Sequence, residues 1–248
     1  MPFVRSLAFN LMLYITGVIF GILCLTFWVF PVRTRFWLVT RWNRFALWWL
    51  KISCGIQVII TDHNVSPVSP SKISPLTTPH VILSKHQTMW ETVFLQYYFS
   101  PISTIFKKSL LKLPFFGWGL SLLKPIAIDR TTPLQSLKLV KKLGAQRVKE
   151  GFNVLVFPEG TRIPVGQVGT YARSGVEIAK AGNVSVVPVA HNAGECWPAK
   201  QFTKYPGEIH VVIGKPIDTS TKASRDIIEE VKEWIEGEIE KMPKGRRP

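Results

Sequence analysis

His86 and Glu91 lie five residues apart in the stretch Val81 to Thr92, where a short apolar run hands over to a helical pattern carrying Trp90, Val93, Phe94 and Tyr97. Histidine ordinarily changes charge near neutrality, which suits it to moving a proton. A carboxylate on its ring fixes the tautomer and stabilises the imidazolium as it forms. Within one straight helix, a spacing of five sets two side chains about 140° apart. The pair therefore meets only if His86 precedes the helix and its ring folds back onto the first turn. On its own the spacing also fits a polar helix cap with a solvated histidine, which is the commoner arrangement.

A second group follows another apolar run, Asn153 to Phe157, and consists of Pro158, Glu159, Gly160, Thr161 and Arg162. Gly160 permits an unusual backbone angle or the close approach of a ligand. Arg162 offers a planar fork that matches a phosphate. A turn closed by a surface ion pair is the plain alternative. Lys107, Lys108 and Arg130 flank two further short strands, where cations from several strand ends can converge on one phosphate; singly, each also fits a solvated surface charge. The residues between them, including Leu110, Leu111, Phe115, Phe116 and Trp118, are too apolar for a nucleic-acid surface and suit a lipid-facing loop or channel. Without any nucleic-acid-binding motif, nucleic acid is excluded as a partner.

The positioning elements follow from periodicity. Ile56–Thr61 alternates as a strand; Val81–Ser84, Ile102–Phe106, Ile126–Ile128, Asn153–Phe157, Val184–Ala190 and Ile209–Ile213 read as further strands. Helices are expected to about Ser100, from Thr132–Pro133 through Val148, over Ser174–Ala181, and from Ser220 along an apolar stripe that includes Ile227, Val231 and Ile235. Pro67–Pro79 reads as a loop and the tail from Lys244 as frayed. This alternation predicts an α/β fold with a mixed, largely parallel central sheet flanked by helices.

The formal net charge is +15, and the first 61 residues hold six basic residues and no acidic one. From Ser6 to Val32 no residue is charged, a run of 27 against the roughly 20 needed to cross a bilayer core. It has no signal-peptide character, so a retained anchor is expected. Arg33, Arg35, Arg41, Arg44 and Lys51 follow it, which places the following domain in the cytoplasm. Residues 36–51 read as an amphipathic helix. Five of the nine tryptophans (28, 37, 42, 48, 49) fall in the first 50 residues, as interfacial anchoring requires. The expected division is an anchor with an interfacial helix over 1–54 and an α/β domain over 55–248. The anchor is either one spanning helix or a two-helix hairpin dipping into one leaflet. Three dispersed cysteines and five histidines (63, 80, 86, 191, 210) show no metal-ligand spacing, so no metal is expected.

Taken together, the order His86-x4-Glu91, then Lys107 to Gly117 with Ile128-Asp129-Arg130, then Phe157 to Arg162, then Val187-Pro188-Val189 resembles the glycerolipid acyltransferase family. The likeness covers about residues 55 to 215, behind an N-terminal anchor as in that family. It implies that His86 deprotonates the 2-hydroxyl of lysophosphatidic acid, which attacks an acyl thioester directly and gives phosphatidic acid without a covalent acyl-enzyme. It assigns Glu91 to orienting His86, and Lys107, Arg130, Glu159, Gly160, Thr161 and Arg162 to the glycerol phosphate. The commoner first block ends in Asp; Glu91 is longer and still reaches an imidazole. No cofactor is implied: acyl-CoA or acyl-acyl carrier protein is a substrate. The expected partners are lysophosphatidic acid, the acyl donor and an anionic membrane surface, at the cytoplasmic face of a bacterial inner membrane. Another lysophospholipid or a lyso-ornithine lipid as acceptor, a thioesterase, and a non-catalytic lipid-binding protein are the other readings.

Overall fold

The computed structural model describes residues 1–64, 76–129 and 133–245. Arg130, most of the expected Pro67–Pro79 loop, the helix opening at Thr132 and the end of the tail lie outside them.

The chain opens with two antiparallel helices, α1 (Pro2–Cys24) and α2 (Val32–Cys54). The charge-free run therefore is not one helix, because the hairpin turn begins at Leu25. Pro31 ends that turn: its fixed φ and missing N–H suit the start of α2 rather than the interior of α1. This starts α2 four residues earlier than its amphipathic pattern implies. α1 is the one helix among the described residues long and apolar enough to cross a membrane. Much of its outer face is exposed, including Leu11, Tyr14, Ile15 and Ile19. Its inner face is docked on the rest of the chain at both ends. Near the start Phe9 is buried edge-on against Trp197, and Arg5 Nε donates to the Ser53 carbonyl. Near the end Cys24 packs with Phe36, Leu122 and Phe152. A buried phenylalanine contributes about 1.5–3 kcal/mol, so α1 is held along its length.

α2 buries Phe36, Val39, Asn43, Ala46, Leu50 and Cys54, a helical stripe facing the domain, and turns Trp37 and Trp48 outward. Gly55, at φ +69°, ends it and leads into the sheet. That sheet contains β1 (Ile56–Asp62), β2 (Val81–Ser84), β3 (Ile102–Lys107), β4 (Ile126–Ile128), β5 (Asn153–Val156), β6 (Val186–His191) and β7 (Gly207–Ile213), in the order β1-β7-β6-β2-β5-β3-β4. β6, β2, β5, β3 and β4 are parallel to their neighbours, whereas β7 runs antiparallel to β6 and parallel to β1. The sheet is thus mixed and mostly parallel.

The central strands are apolar at nearly every position because both faces are covered. Ile82, Leu155, Val187 and Val189 pack toward α2 and α3 (Trp90–Tyr98), with Phe94, Leu95 and Tyr98. The alternate residues Val81, Leu83, Val154 and Val156 pack toward α5 (Pro133–Lys149), α6 (Ser174–Gly182) and α8 (Ser224–Lys241). Two short helices, α4 (Phe116–Ser121) and α7 (Ala193–Cys196), complete the chain. Because β2, β3, β4 and β5 are parallel, the segments after Ser84, Lys107, Ile128 and Val156 leave the sheet along one edge. Loops at the carboxyl ends of parallel strands are where such sheets bind ligands.

Candidate active site

His86 precedes α3 and folds back onto it. Its Nδ1 lies 2.8 Å from Glu91 Oε1. The same carboxylate accepts the main-chain N–H of Gln87 at 2.8 Å and of Thr88 at 2.6 Å, and the Thr88 hydroxyl at 2.8 Å. Thr88 Oγ1 in turn accepts the Trp90 N–H at 2.7 Å. Thr88 and Glu91 thus tie the turn before α3 to its first turn: the Glu91 carboxylate accepts the Thr88 N–H and hydroxyl, and the Thr88 hydroxyl accepts the Trp90 N–H. The Thr-x-x-Glu spacing is visible in the sequence and signals that Glu91 is fixed at the start of α3.

Glu91 is wholly buried, and burial alone raises a carboxyl pKa. The hydrogen bond from His86 and the Thr88 N–H outweigh it and hold Glu91 below the usual carboxylate range. An ionised Glu91 only accepts, so His86 Nδ1 carries a proton and donates it. In the neutral ring Nε2 is then the acceptor. The ring stacks on Phe157 with centroids 4.0 Å apart and keeps 16% of its side chain exposed, so its edge remains accessible.

The main chain around His86 is bonded on every side. Lys85 N–H donates to Val189 O at 3.1 Å, and Ile163 N–H donates to His86 O at 2.8 Å. His86 N–H donates to Glu159 Oε2 at 2.9 Å. His191 Nε2–H donates to the Lys85 carbonyl at 2.9 Å, while its Nδ1 accepts the Ala193 N–H at 3.3 Å. That pattern fixes His191 as a neutral imidazole, and burial pushes its pKa down. The Gln87 amide oxygen accepts Gly194 N–H at 2.9 Å.

These bonds join the two chemistry-bearing groups: residues 157–163 are fastened to the backbone of His86. Gly160 has φ +66° with open space beside it, a backbone conformation that suits glycine. Thr161 and Arg162 are exposed next to it. Lys107 ends β3, which is paired with β5, and is also exposed. Arg162 and Lys107 make no ion pair among the described residues. Glu159 differs from the expectation that it contacts a phosphate. Its carboxylate points inward, to the His86 N–H and to Lys85 Nζ at 2.9 Å, with none of its side chain exposed. A phosphate repels a carboxylate, and the buried Lys85 ammonium supplies the counter-charge that makes the inward orientation favourable. Lys85, His191 and Gln87 were not legible as site residues, since each supports His86 through the fold rather than through a motif.

Beside the first turns of α3, an apolar cavity of about 430 Å³ opens between α1, α2, α3 and α4. Met89, Thr92, Val93, Val18, Trp42 and Leu120 are among its walls. Among the described residues no group of three or more His, Cys, Asp and Glu side chains is placed to hold a metal ion.

Residues 59–192 match the family model described as Acyltransferase. A 1-acyl-sn-glycerol-3-phosphate acyltransferase of Pseudomonas aeruginosa is 43% identical over 230 residues, covering 91% of this chain and 85% of that protein. The Saccharomyces cerevisiae protein of the same name is 29% identical, over 77% of this chain and 61% of its own length. The Arabidopsis thaliana chloroplastic one is 28% identical, over 58% of this chain and 40% of its own. The crystal structure of the 1-acyl-sn-glycerophosphate (LPA) acyltransferase PlsC from Thermotoga maritima superposes with a TM-score of 0.77 over 97% of this chain and 95% of that one, at 20% identity, which shows a common fold. The chain belongs to the Acyltransferase family and is an enzyme of that class.

Proposed function

We propose that this acyltransferase moves a fatty acyl group from an acyl thioester to the sn-2 hydroxyl of 1-acyl-glycerol-3-phosphate, giving phosphatidic acid. The observation that carries this reading is the 2.8 Å His86 Nδ1–Glu91 contact, which in the neutral ring makes Nε2 the proton acceptor, on a side chain that is partly exposed. Nε2 takes the proton of the sn-2 hydroxyl, and the oxygen attacks the thioester carbonyl. The tetrahedral intermediate collapses with loss of the thiolate, which receives the proton from His86. No covalent acyl-enzyme forms and no cofactor is needed. General-base action of this kind contributes about 10²–10⁴-fold. Gly160, Thr161, Arg162 and Lys107 hold the acceptor phosphate, with Arg130 joining them. Glu159 acts from below by fixing the His86 backbone. The apolar cavity beside α3 suits an acyl chain of one substrate.

Residues 1–54 serve as the membrane anchor of a catalytic domain over 55–248. The docking of α1 at both ends supports a hairpin lying in one leaflet. Arg33, Arg41 and Arg44, exposed on one face of α2, suit an anionic membrane surface. The charge pattern supports the cytoplasmic face of a bacterial inner membrane, where both acidic donors, acyl-CoA and acyl-acyl carrier protein, are at hand.

The test is a single assay of purified protein with each labelled donor against a panel of lysolipids. Acyl transfer to lysophosphatidate above other acceptors is expected. His86→Ala should abolish it with the fold intact, and Glu91→Gln should lower kcat more than it raises either KM. Release of free fatty acid alone, a stronger preference for another lysolipid, or near-normal turnover of His86→Ala would each overturn the reading.

A further inference from the structure

Lys85 is 1% exposed, among the most deeply buried side chains in the molecule, and is the immediate neighbour of His86. Its ammonium lies 2.9 Å from Glu159 Oε1, 2.7 Å from Glu236 Oε1 on α8 and 3.2 Å from the Gln167 carbonyl. Its own main chain is pinned by Val189 O and by His191. A side chain so enclosed does not meet substrate. It acts through what it holds, which is chiefly the loop after β5.

That loop stands on residues 85 and 86 at four points. Glu159 forms an ion pair with the Lys85 ammonium and accepts the His86 N–H, Ile163 N–H donates to His86 O, and Gln167 O accepts from Lys85. Arg162 lies in the span between two of these points, Glu159 and Ile163. The loop closes on itself where Ala172 N–H donates to Pro158 O. The far side of Lys85 is held by α8, because Glu236 also accepts the Tyr171 hydroxyl at 2.7 Å. An apolar residue at position 85 could pack as densely. It could not draw two carboxylates from segments far apart in sequence onto one point, which is what a buried ammonium charge does.

We propose that Lys85 is a positioning residue that fixes the Arg162 segment relative to the His86 ring. It thereby sets the span between the acceptor phosphate and the hydroxyl that loses its proton. The inference rests on the reading of Arg162 as a phosphate contact. α8, far from the site in sequence, enters the same assembly through Glu236.

A double-mutant cycle tests this on the full-length protein with acyl-CoA as donor and 1-acyl-glycerol-3-phosphate as acceptor. Arg162→Ala should raise the acceptor KM roughly 10- to 100-fold, the size of one or two charge-assisted bonds, and leave the donor KM unchanged. Lys85→Met should raise the acceptor KM similarly, and should add less than about threefold when Arg162 is already Ala. Glu236→Gln, at a side chain 17% exposed, leaves the Glu159–Lys85 pair in place and should shift the acceptor KM in the same direction by a smaller factor. If Lys85→Met and Arg162→Ala multiply, or if Lys85→Met raises both KM values alike, Lys85 merely supports the fold and the proposal fails. Should Lys85→Met not fold, an unchanged acceptor KM in Glu236→Gln overturns it. An unchanged KM in Arg162→Ala alone rejects the phosphate contact instead.

Discussion

At the scale of single residues, the site is a matter of which proton sits on which ring nitrogen. Glu91 reaches His86 because it is anchored at the first turn of α3 by Thr88, so its length places Oε1 against Nδ1. His191 supports the same stretch from the opposite side as a buried neutral imidazole. Its pH effect has a definite sign. Burial lowers its pKa in the folded state, so the unfolded chain binds the proton more readily. Its contribution to stability is complete above the ordinary histidine value of about 6.5 and is lost as pH falls from there through the lowered folded value. His80 is shifted the same way by burial. Stability of the wild type to denaturant should therefore weaken as pH falls below about 6.5, and His191→Gln should flatten that slope without abolishing it. An unaltered slope would mean that His191 is not neutral in the fold. Of these residues, His86 and Glu91 were legible because a base and its carboxylate form a recognisable spacing. His191 and Lys85 were not, because a buried polar residue is distinguished only by partners that the fold brings from afar.

At the scale of elements, the strands were the most legible part. Their apolar runs are short, both faces are covered, and turn residues bound them. The hairpin was less so: the charge-free run Ser6–Val32 obscures the turn at Leu25–Pro31, where local backbone chemistry overrides hydropathy. Of the cavity between α1, α2, α3 and α4, only the wall with Phe115 and Phe116, read as a lipid-facing loop or channel, was legible; the walls from α1 to α3 were not, since a hollow and a packed core have the same composition. Its function is open to a direct test on α3. Val93 lines the cavity, and Val93→Phe fills part of it while keeping an apolar residue on the helix. If an acyl chain lies there, excluding two methylenes costs about 1.6 kcal/mol, or roughly 15-fold in kcat/KM for the longest chains. Shorter chains should be unaffected. The rate should be measured against donors and acceptors of graded chain length, and the series that shifts names the substrate whose chain enters. No shift in either series would leave the cavity outside the reaction.

At the scale of the whole molecule, the arrangement of the hairpin decides how substrates reach His86. A spanning α1 would put the amino terminus on the far side of the bilayer from the catalytic domain. The amino-terminal end of α1 is instead docked on the rest of the chain: Arg5 bonds to Ser53 at the end of α2, the Ser6 hydroxyl accepts from the Lys204 N–H at 2.8 Å, and Phe9 is buried against Trp197. The exposed apolar side chains instead run along the outer face of α1 to Trp28, Val29 and Phe30 at the tip of the hairpin. On the proposed reading of a hairpin lying in one leaflet, that exposed face is the one that meets lipid. On the same reading the positive charge serves attachment, and Arg33, Arg41 and Arg44 would add about 1 kcal/mol each near an anionic surface at low salt. The native cysteines are all buried, so a new surface cysteine can report topology without background. In sealed vesicles, Phe3→Cys should react with an impermeant maleimide from the same side as a cysteine placed on the exposed face of α8. Labelling of position 3 from the opposite side alone would establish a spanning helix. In the same vesicles, replacing the three arginines by Gln should weaken binding to phosphatidylglycerol-rich membranes by roughly 100-fold and reduce its salt dependence, while binding to neutral phosphatidylcholine is retained through α1. Equal loss on both lipids would mean that these arginines hold the fold rather than the membrane.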